Sequence, residues 1–94
     1  MSYKVEITQE GRGGRVTYIE DGGSMSFDWE FAIGGVDLFV TTPEQWDTVC
    51  RMDGATWAEG RRQEILERVA EQVKVQKASG AVVTIDDNWM HFEF

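Results

Sequence analysis

Residues 3–40 alternate apolar and polar side chains, and short glycine-containing runs interrupt this alternation three times. A period of two is typical of β-strands that bury one face, and glycine between such runs favours tight hairpin turns. The pattern therefore predicts a four-stranded antiparallel meander with two-residue turns at Gly11-Arg12, Gly22-Gly23 and Gly34-Gly35.

The three predicted turns also fix which residues face each other, and a slip of one residue would move a whole strand to the wrong face. One face carries only apolar pairs: Ile7 with Val16, Val5 with Tyr18, Tyr18 with Phe27, Val16 with Trp29, Trp29 with Val40, and Phe31 with Leu38. The other face is mainly polar and places Arg15 opposite Glu30. We therefore expect one buried face and one face in water.

Residues 42–79 have the signals of two helices. Thr42 followed by Pro43 and acidic residues is typical of a helix N-terminus, and predicts a short helix to about Met52. Thr56 and Glu59 have the spacing of a capping box, which predicts a long amphipathic helix that ends before Gly80. Its apolar stripe comprises Ile65, Leu66, Val69, Ala70 and Val73.

The last residues, 81–86 and 89–94, alternate again around Asp87-Asn88, which predicts a hairpin with a type I′ turn. Val83, Ile85, Met90 and Phe92 share one face, and Val82, Thr84, Trp89, His91 and Glu93 share the other. The order β-β-β-β-α-α-β-β predicts a two-layer α+β domain: an antiparallel sheet, built from the meander and the hairpin, with the long helix across one face. The sheet edge that the hairpin joins stays open.

Composition limits the classes of function. The 94 residues suffice for one domain, residues 1–94, and a net charge of −8 disfavours nucleic acid and anionic membranes as partners. One cysteine, Cys50, and one histidine, His91, supply neither a disulfide nor a zinc ligand set, so we expect no metal and no cofactor. The start of the chain lacks the pattern of a secretory signal, and no apolar run is long enough to span a membrane. The expected location is the cytoplasm.

Two groups of side chains are candidates for catalysis. Asp28 and Glu30 share a face of one predicted strand, but a general acid needs a buried carboxyl group, and this face is predicted to be exposed. His91 next to Glu93 is a possible proton shuttle, although no serine or cysteine has the context of a nucleophile. An exposed ion pair and a structural histidine are the simpler interpretations, and Cys50 is interpreted as a packed thiol.

Aromatic and acidic residues are better candidates for a binding surface. The chain has four tryptophans, and Trp46 and Trp89 are predicted at the surface with acids close by. An acidic rim around an aromatic side chain suits a basic protein partner. The predicted contact residues are Glu6, Asp28, Glu30, Asp37, Asp47, Trp46 and Trp89.

The segment from Trp57 to Val69, which opens with tryptophan and contains Arg61-Arg62, and the terminal strand from Trp89 to Phe94 carry a resemblance. Together they resemble small bacterial immunity proteins, which neutralise toxins of contact-dependent and polymorphic toxin systems. The resemblance covers residues 57–94 and has no diagnostic motif. It implies tight binding to a cognate toxin by an acidic surface that covers a basic active site.

Three classes of function follow from these observations. The leading hypothesis is a non-enzymatic acidic protein-binding domain of the immunity-inhibitor type. The alternative is a homo-oligomeric assembly subunit, a possible homodimer that buries the exposed Phe39 and Ile19 or an unpaired edge strand. The third is a small enzyme that uses His91 and Glu93.

Overall fold

A computed structural model describes residues 2–94 as six strands, two α-helices and one 3-10 turn at Thr56–Ala58. The elements in chain order are β1 (Tyr3–Glu10), β2 (Gly13–Glu20), β3 (Gly23–Ala32), β4 (Gly35–Phe39), α1 (Trp46–Met52), α2 (Arg62–Gln76), β5 (Val82–Ile85) and β6 (Trp89–Glu93). This order confirms the predicted α+β class and the succession of strands and helices.

The six strands form one antiparallel sheet in the order β1-β2-β3-β4-β6-β5. The terminal hairpin therefore joins the meander beside β4, and its second strand, β6, lies inside the sheet. β5 and β1 form the two edges. β6 thus pairs with β4, the last strand of the meander, on one side and with β5 on the other.

The register of the first hairpin is confirmed, because Ile7 faces Val16 and Val5 faces Tyr18. The next two registers are wrong by two residues: Val16 faces Phe27 and Trp29 faces Leu38. The turns are Asp21-Gly22 and Ile33-Gly34, one residue earlier than predicted. A shift of two keeps every side chain on its face, so the apolar pattern could not distinguish the two registers.

The observed registers of β2 with β3 and of β3 with β4 give different polar pairs from those predicted. The residue opposite Arg15 is Asp28, and Asp37 lies opposite Glu30. The predicted pair of Arg15 with Glu30 is therefore wrong, and Glu30 faces a like charge.

The long helix begins later than predicted. Thr56 starts the 3-10 turn, and Gly60, with φ +73°, separates this turn from α2, which has only 15 residues. Glu59 does not cap Thr56; its carboxylate accepts a hydrogen bond from Arg51 Nε at 2.8 Å. A positive φ interrupts a helix, and glycine adopts it without strain. The prediction of a long helix from Thr56 is therefore wrong, whereas the ends at Met52 and before Gly80 are confirmed. The predicted start of the first helix at Thr42 and Pro43 is also wrong, because residues 43–45 form a turn and α1 begins at Trp46.

The predicted apolar stripe of α2 is confirmed, since all five of its residues are buried. The faces of the terminal hairpin are also confirmed, with Met90 and Phe92 fully buried. Its turn differs: Asp86 N donates to Trp89 O at 2.7 Å, but no non-glycine residue among residues 2–94 has a positive φ. A type I′ turn needs two such residues, so that turn type is wrong.

Both helices pack on the same face of the sheet, over a core that includes Tyr18, Leu38, Leu66 and Phe92. The opposite face carries no helix, and we call it the open face. Its side chains come from alternate strand residues, beginning with Lys4 in β1 and ending with Glu93 in β6. The fold thus presents half of its sheet to the surroundings.

A charged cluster joins the end of β2 to the start of α2. Arg61 donates to both carboxylate oxygens of Glu20, at 2.7 and 3.0 Å, and the Glu20 side chain is only 5% exposed. Tyr18 donates to Glu20, and Arg68 donates to the Tyr18 hydroxyl at 2.9 Å. A bidentate guanidinium–carboxylate pair that is mostly shielded from water fixes its two elements strongly. The pair therefore holds the shortened helix in place on the sheet.

We predict that Glu20→Gln lowers the free energy of unfolding by about 1.5–3 kcal/mol, because it removes a mostly buried carboxylate that accepts two charge-assisted hydrogen bonds from Arg61, although Arg61 keeps its bonds to Glu64. The hydrogen bonds from Arg61 lower the pKa of Glu20 below its ordinary value of 4.5. A lowered pKa in the folded state contributes stability above the ordinary pKa, and this contribution is lost as the pH falls through the lowered value. Urea unfolding between pH 3 and 7 should therefore show a smaller loss of stability on acidification in Glu20→Gln than in the wild type. An equal loss in both proteins would contradict this role.

Candidate functional site

The open face is predominantly acidic. Its carboxylates come from four of the strands, and within residues 2–94 the only strand side chains of opposite sign on this face are Lys4 and Arg15, besides His91. Both cations already contact acids: Lys4 Nζ lies 3.0 Å from Glu6, and Arg15 Nε lies 3.6 Å from Asp28. These pairs are exposed and contribute little stability. The acids of the open face are Glu6, Glu10, Asp28, Glu30, Asp37 and Glu93.

A row of side chains crosses the centre of the open face. Glu30 on β3 faces Asp37 on β4, Asp37 faces His91 on β6, and His91 faces Thr84 on β5. His91 Nδ1 is hydrogen-bonded to Asp37 Oδ1, whereas no cationic side chain among residues 2–94 forms an ion pair with Glu30. Like charges directly opposite each other in a sheet are unfavourable. A cation supplied by another molecule would relieve the repulsion between Glu30 and Asp37.

An aromatic pair lies beside this row. Phe39 on β4 faces Trp89 on β6, with ring centroids 4.4 Å apart. The two residues are 39% and 38% exposed, although both rings are large and apolar. Partly exposed aromatic residues next to charges are typical anchors of protein interfaces. The open face therefore combines acids with an aromatic anchor.

The structure brings five of the predicted contact residues to one surface. Glu6, Asp28, Glu30, Asp37 and Trp89 all lie on the open face. They come from four different strands, and only the sheet order places them together.

The other two predicted contact residues lie on α1. Asp47 accepts a hydrogen bond from Gly60 N at 2.7 Å and so ties α1 to the loop before α2. Trp46 is only 3% exposed, and its indole N–H donates to Ala58 O at 2.9 Å. The prediction of Trp46 at the surface is therefore wrong, because a large apolar ring at the start of α1 packs into the core.

Two features of this surface were not predicted. The bond between His91 and Asp37 and the contact between Trp89 and Phe39 both require β6 to lie beside β4. The sequence contains no local signal for this pairing, since the two strands are separated by both helices.

The side chains that are candidates for catalysis are either buried or paired with a neighbouring side chain. Cys50 is 2% exposed, and burial raises the pKa of its thiol. His91 is bound to Asp37, and no hydroxyl or thiol among residues 2–94 is hydrogen-bonded to its ring. Asp28 lies beside Arg15, and both side chains are mostly exposed. The described part of the chain therefore contains no assembled nucleophile and base.

Comparison of the chain with protein-family models, with curated proteins and with solved structures finds no match. Residues 2–94 contain no group of three or more histidine, cysteine or acidic side chains that could hold a metal ion. Neither helix in this range is long and apolar enough to cross a bilayer. The chemistry of the open face is therefore the main indication of function.

We predict losses of stability of different size for Trp46 and Trp89, the two tryptophans that were both predicted at the surface. Trp46→Phe removes the buried indole hydrogen bond to Ala58 O, which keeps only the bond from Arg61 N, and leaves a void in the core, so the free energy of unfolding should fall by about 1–3 kcal/mol. Trp89→Phe keeps an aromatic ring on Phe39 and should cost less than about 1 kcal/mol. Urea unfolding of both variants tests this difference. Equal losses of unfolding free energy in the two variants would contradict the prediction that the buried Trp46 contributes more to stability than the exposed Trp89.

Proposed function

We propose that this chain is a non-enzymatic protein-binding domain that binds a basic protein through its open face. The observation that carries the proposal is the acidic row of Glu30 and Asp37 next to the exposed pair of Phe39 and Trp89. In this surface, acids steer and orient a basic partner, and the aromatic rings supply the apolar area that slows its dissociation.

The kind of partner follows from the charge of the whole chain as well as of this face. A net charge of −8 attracts a basic protein from a distance, and the unpaired Glu30 and the like-charged Asp37 give it a local target. An inhibitor of the immunity type, which covers the basic active site of a toxin or effector, has this chemistry. We propose this function on the basis of the acidic face and of the resemblance of residues 57–94.

A second candidate function is supported by an apolar patch at the end of the β3–β4 hairpin. Phe31, Ile33 and Phe94 are 43%, 103% and 68% exposed, and Phe31 and Phe94 border a cleft of about 260 Å³ beneath α2. A homodimer could bury this patch. Light scattering over a wide concentration range tests this candidate, because a monomer at all concentrations contradicts a stable dimer.

The enzyme hypothesis has weaker support. His91 and Asp37 form an acid–base pair, but the groups beside them are the acids and aromatic rings of an open sheet face. Small-molecule substrates usually bind in concave sites that bury most of their surface. We therefore propose a structural role for the pair: it orients His91 and shields part of the charge of Asp37.

The proposal predicts that charge on the open face, and not total charge, controls binding. The protein should be used to capture partners from the lysate of its native cells, and binding of the captured basic protein should then be measured by calorimetry. The double variant Glu30→Gln with Asp37→Asn should raise the Kd at least about tenfold, about 1.4 kcal/mol, and reduce its salt dependence.

The matched control changes the same number of charges on the exposed surface of α2, with Glu67→Gln and Glu71→Gln. This control should bind within about twofold of the wild type. Equal weakening by both double variants would contradict a role for the open face and would leave only a general effect of net charge.

A further inference from the structure

β3 is twice as long as β4, its neighbour on one edge. It runs from Gly23 to Ala32, but β4 pairs only with residues 29–32. Beyond that point the chain stays beside the terminal hairpin, since Val40 N donates to Asn88 O, and a cleft separates Val40 and Thr41 from β3. Residues 23–27 of β3 therefore pair with β2 on one edge and have no strand on the other.

The direction of the backbone groups at this edge follows from the register. Phe31 N donates to Arg12 O, on the β2 side. Successive residues of a strand direct their N–H and C=O groups to alternate edges, so the odd-numbered residues of β3 bond to β2. Ser24 and Ser26 therefore direct both of their backbone groups to the edge that lacks a strand, whereas Asp28 has only its N–H group free because its carbonyl borders β4. Such an edge is a template for an added strand.

A cleft of about 370 Å³ lies along this edge, and its two sides differ. On the side of the helices it is lined by apolar groups, which include Phe27, Val40 and Trp46. On the side of the open face it is lined by Ser26, Asp28 and Phe39. We call this cleft the β3 slot.

The charge of the β3 slot has one sign. Asp28 and Asp53 are its only charged lining residues, and both are exposed. Arg15 lies 3.6 Å from Asp28 but is itself largely exposed, so another cation can replace it. The edge strand β1 of a second copy would bring Glu6 and Glu10 to the slot, which disfavours self-association at this position.

We propose that the β3 slot binds an extended segment of the basic partner as an additional strand beside β3. This inference rests on the proposed function and specifies how the partner binds. A strand alternates its side chains, so the segment places apolar residues towards Phe27 and Trp46 and lysine or arginine towards Asp28. The main-chain bonds provide affinity, and the alternation of apolar and basic residues provides specificity.

The test uses the full chain, labelled with ¹⁵N, and the acetylated and amidated pentapeptide Val-Lys-Val-Lys-Val. Saturable NMR shifts should be largest at the amides of Ser24, Ser26 and Asp28. Ser26→Pro should weaken binding at least about tenfold, because it removes an N–H that points into the slot but no bond to β2. The matched control is Ser26→Ala, which removes only the hydrogen bond of the hydroxyl to Thr17, and should bind like the wild type.

Variant peptides keep the proposal testable if Ser26→Pro does not fold. In an added strand, the residues opposite Ser24 and Ser26 point their side chains to the open face and their N–H groups to β3. These are the lysines, so methylation of both lysine amide nitrogens should abolish binding, and glutamate in place of lysine should weaken it at least about tenfold. Shifts that avoid residues 24–28, or equal binding of the methylated peptide, would overturn the proposal.

The outcome is separable from that of the proposed function. If the peptide does not bind at the slot but Glu30→Gln with Asp37→Asn still weakens binding of the captured protein, the added strand is wrong and the open face remains the interface. If the peptide binds at the slot but the double variant has no effect on the captured protein, the proposed contact at Glu30 and Asp37 is wrong.

Discussion

The structure depends on one constraint: two helices cover only one face of a six-stranded sheet. The covered face contains the apolar side chains, and the cluster of Glu20 with Arg61 and Arg68 fixes α2 above them. The other face then lies outside the core, and its side chains are free to serve a second role. This division explains why acids and exposed aromatic rings occur together on the open face.

The shortness of β4 creates the second feature of this surface. Because the chain leaves β3 after Phe39 to form α1, the first half of β3 has β2 on one edge and no strand on the other. The resulting slot is continuous with the open face, since Asp28 and Phe39 belong to both. One basic partner could therefore contact the acidic row by its side chains and the slot by its backbone.

Local patterns predicted much of this fold, and pairings distant in sequence limited the prediction. Alternation identified the strands and their faces, and the stripe of Ile65 to Val73 identified the buried side of α2. The registers of β2 with β3 and of β3 with β4 were wrong by two, because period-two patterns are unchanged by that shift. The predicted helix from Thr56 was wrong because Gly60 has a positive φ and interrupts it. Trp46 was predicted at the surface, but tertiary packing buries it. The bond of Asp37 with His91 needed the position of β6, which no local signal contains.

The central claim is that the open face and the β3 slot form one binding surface for a basic protein. Amide hydrogen exchange, detected by NMR for the chain alone and in complex with the captured protein, tests it most directly. The account predicts slower exchange at Ser24, Ser26 and Asp28, whose N–H groups have no strand partner in the free chain, with little change along α2. Protection on the outer surface of α2, with unchanged exchange in β3, would contradict it.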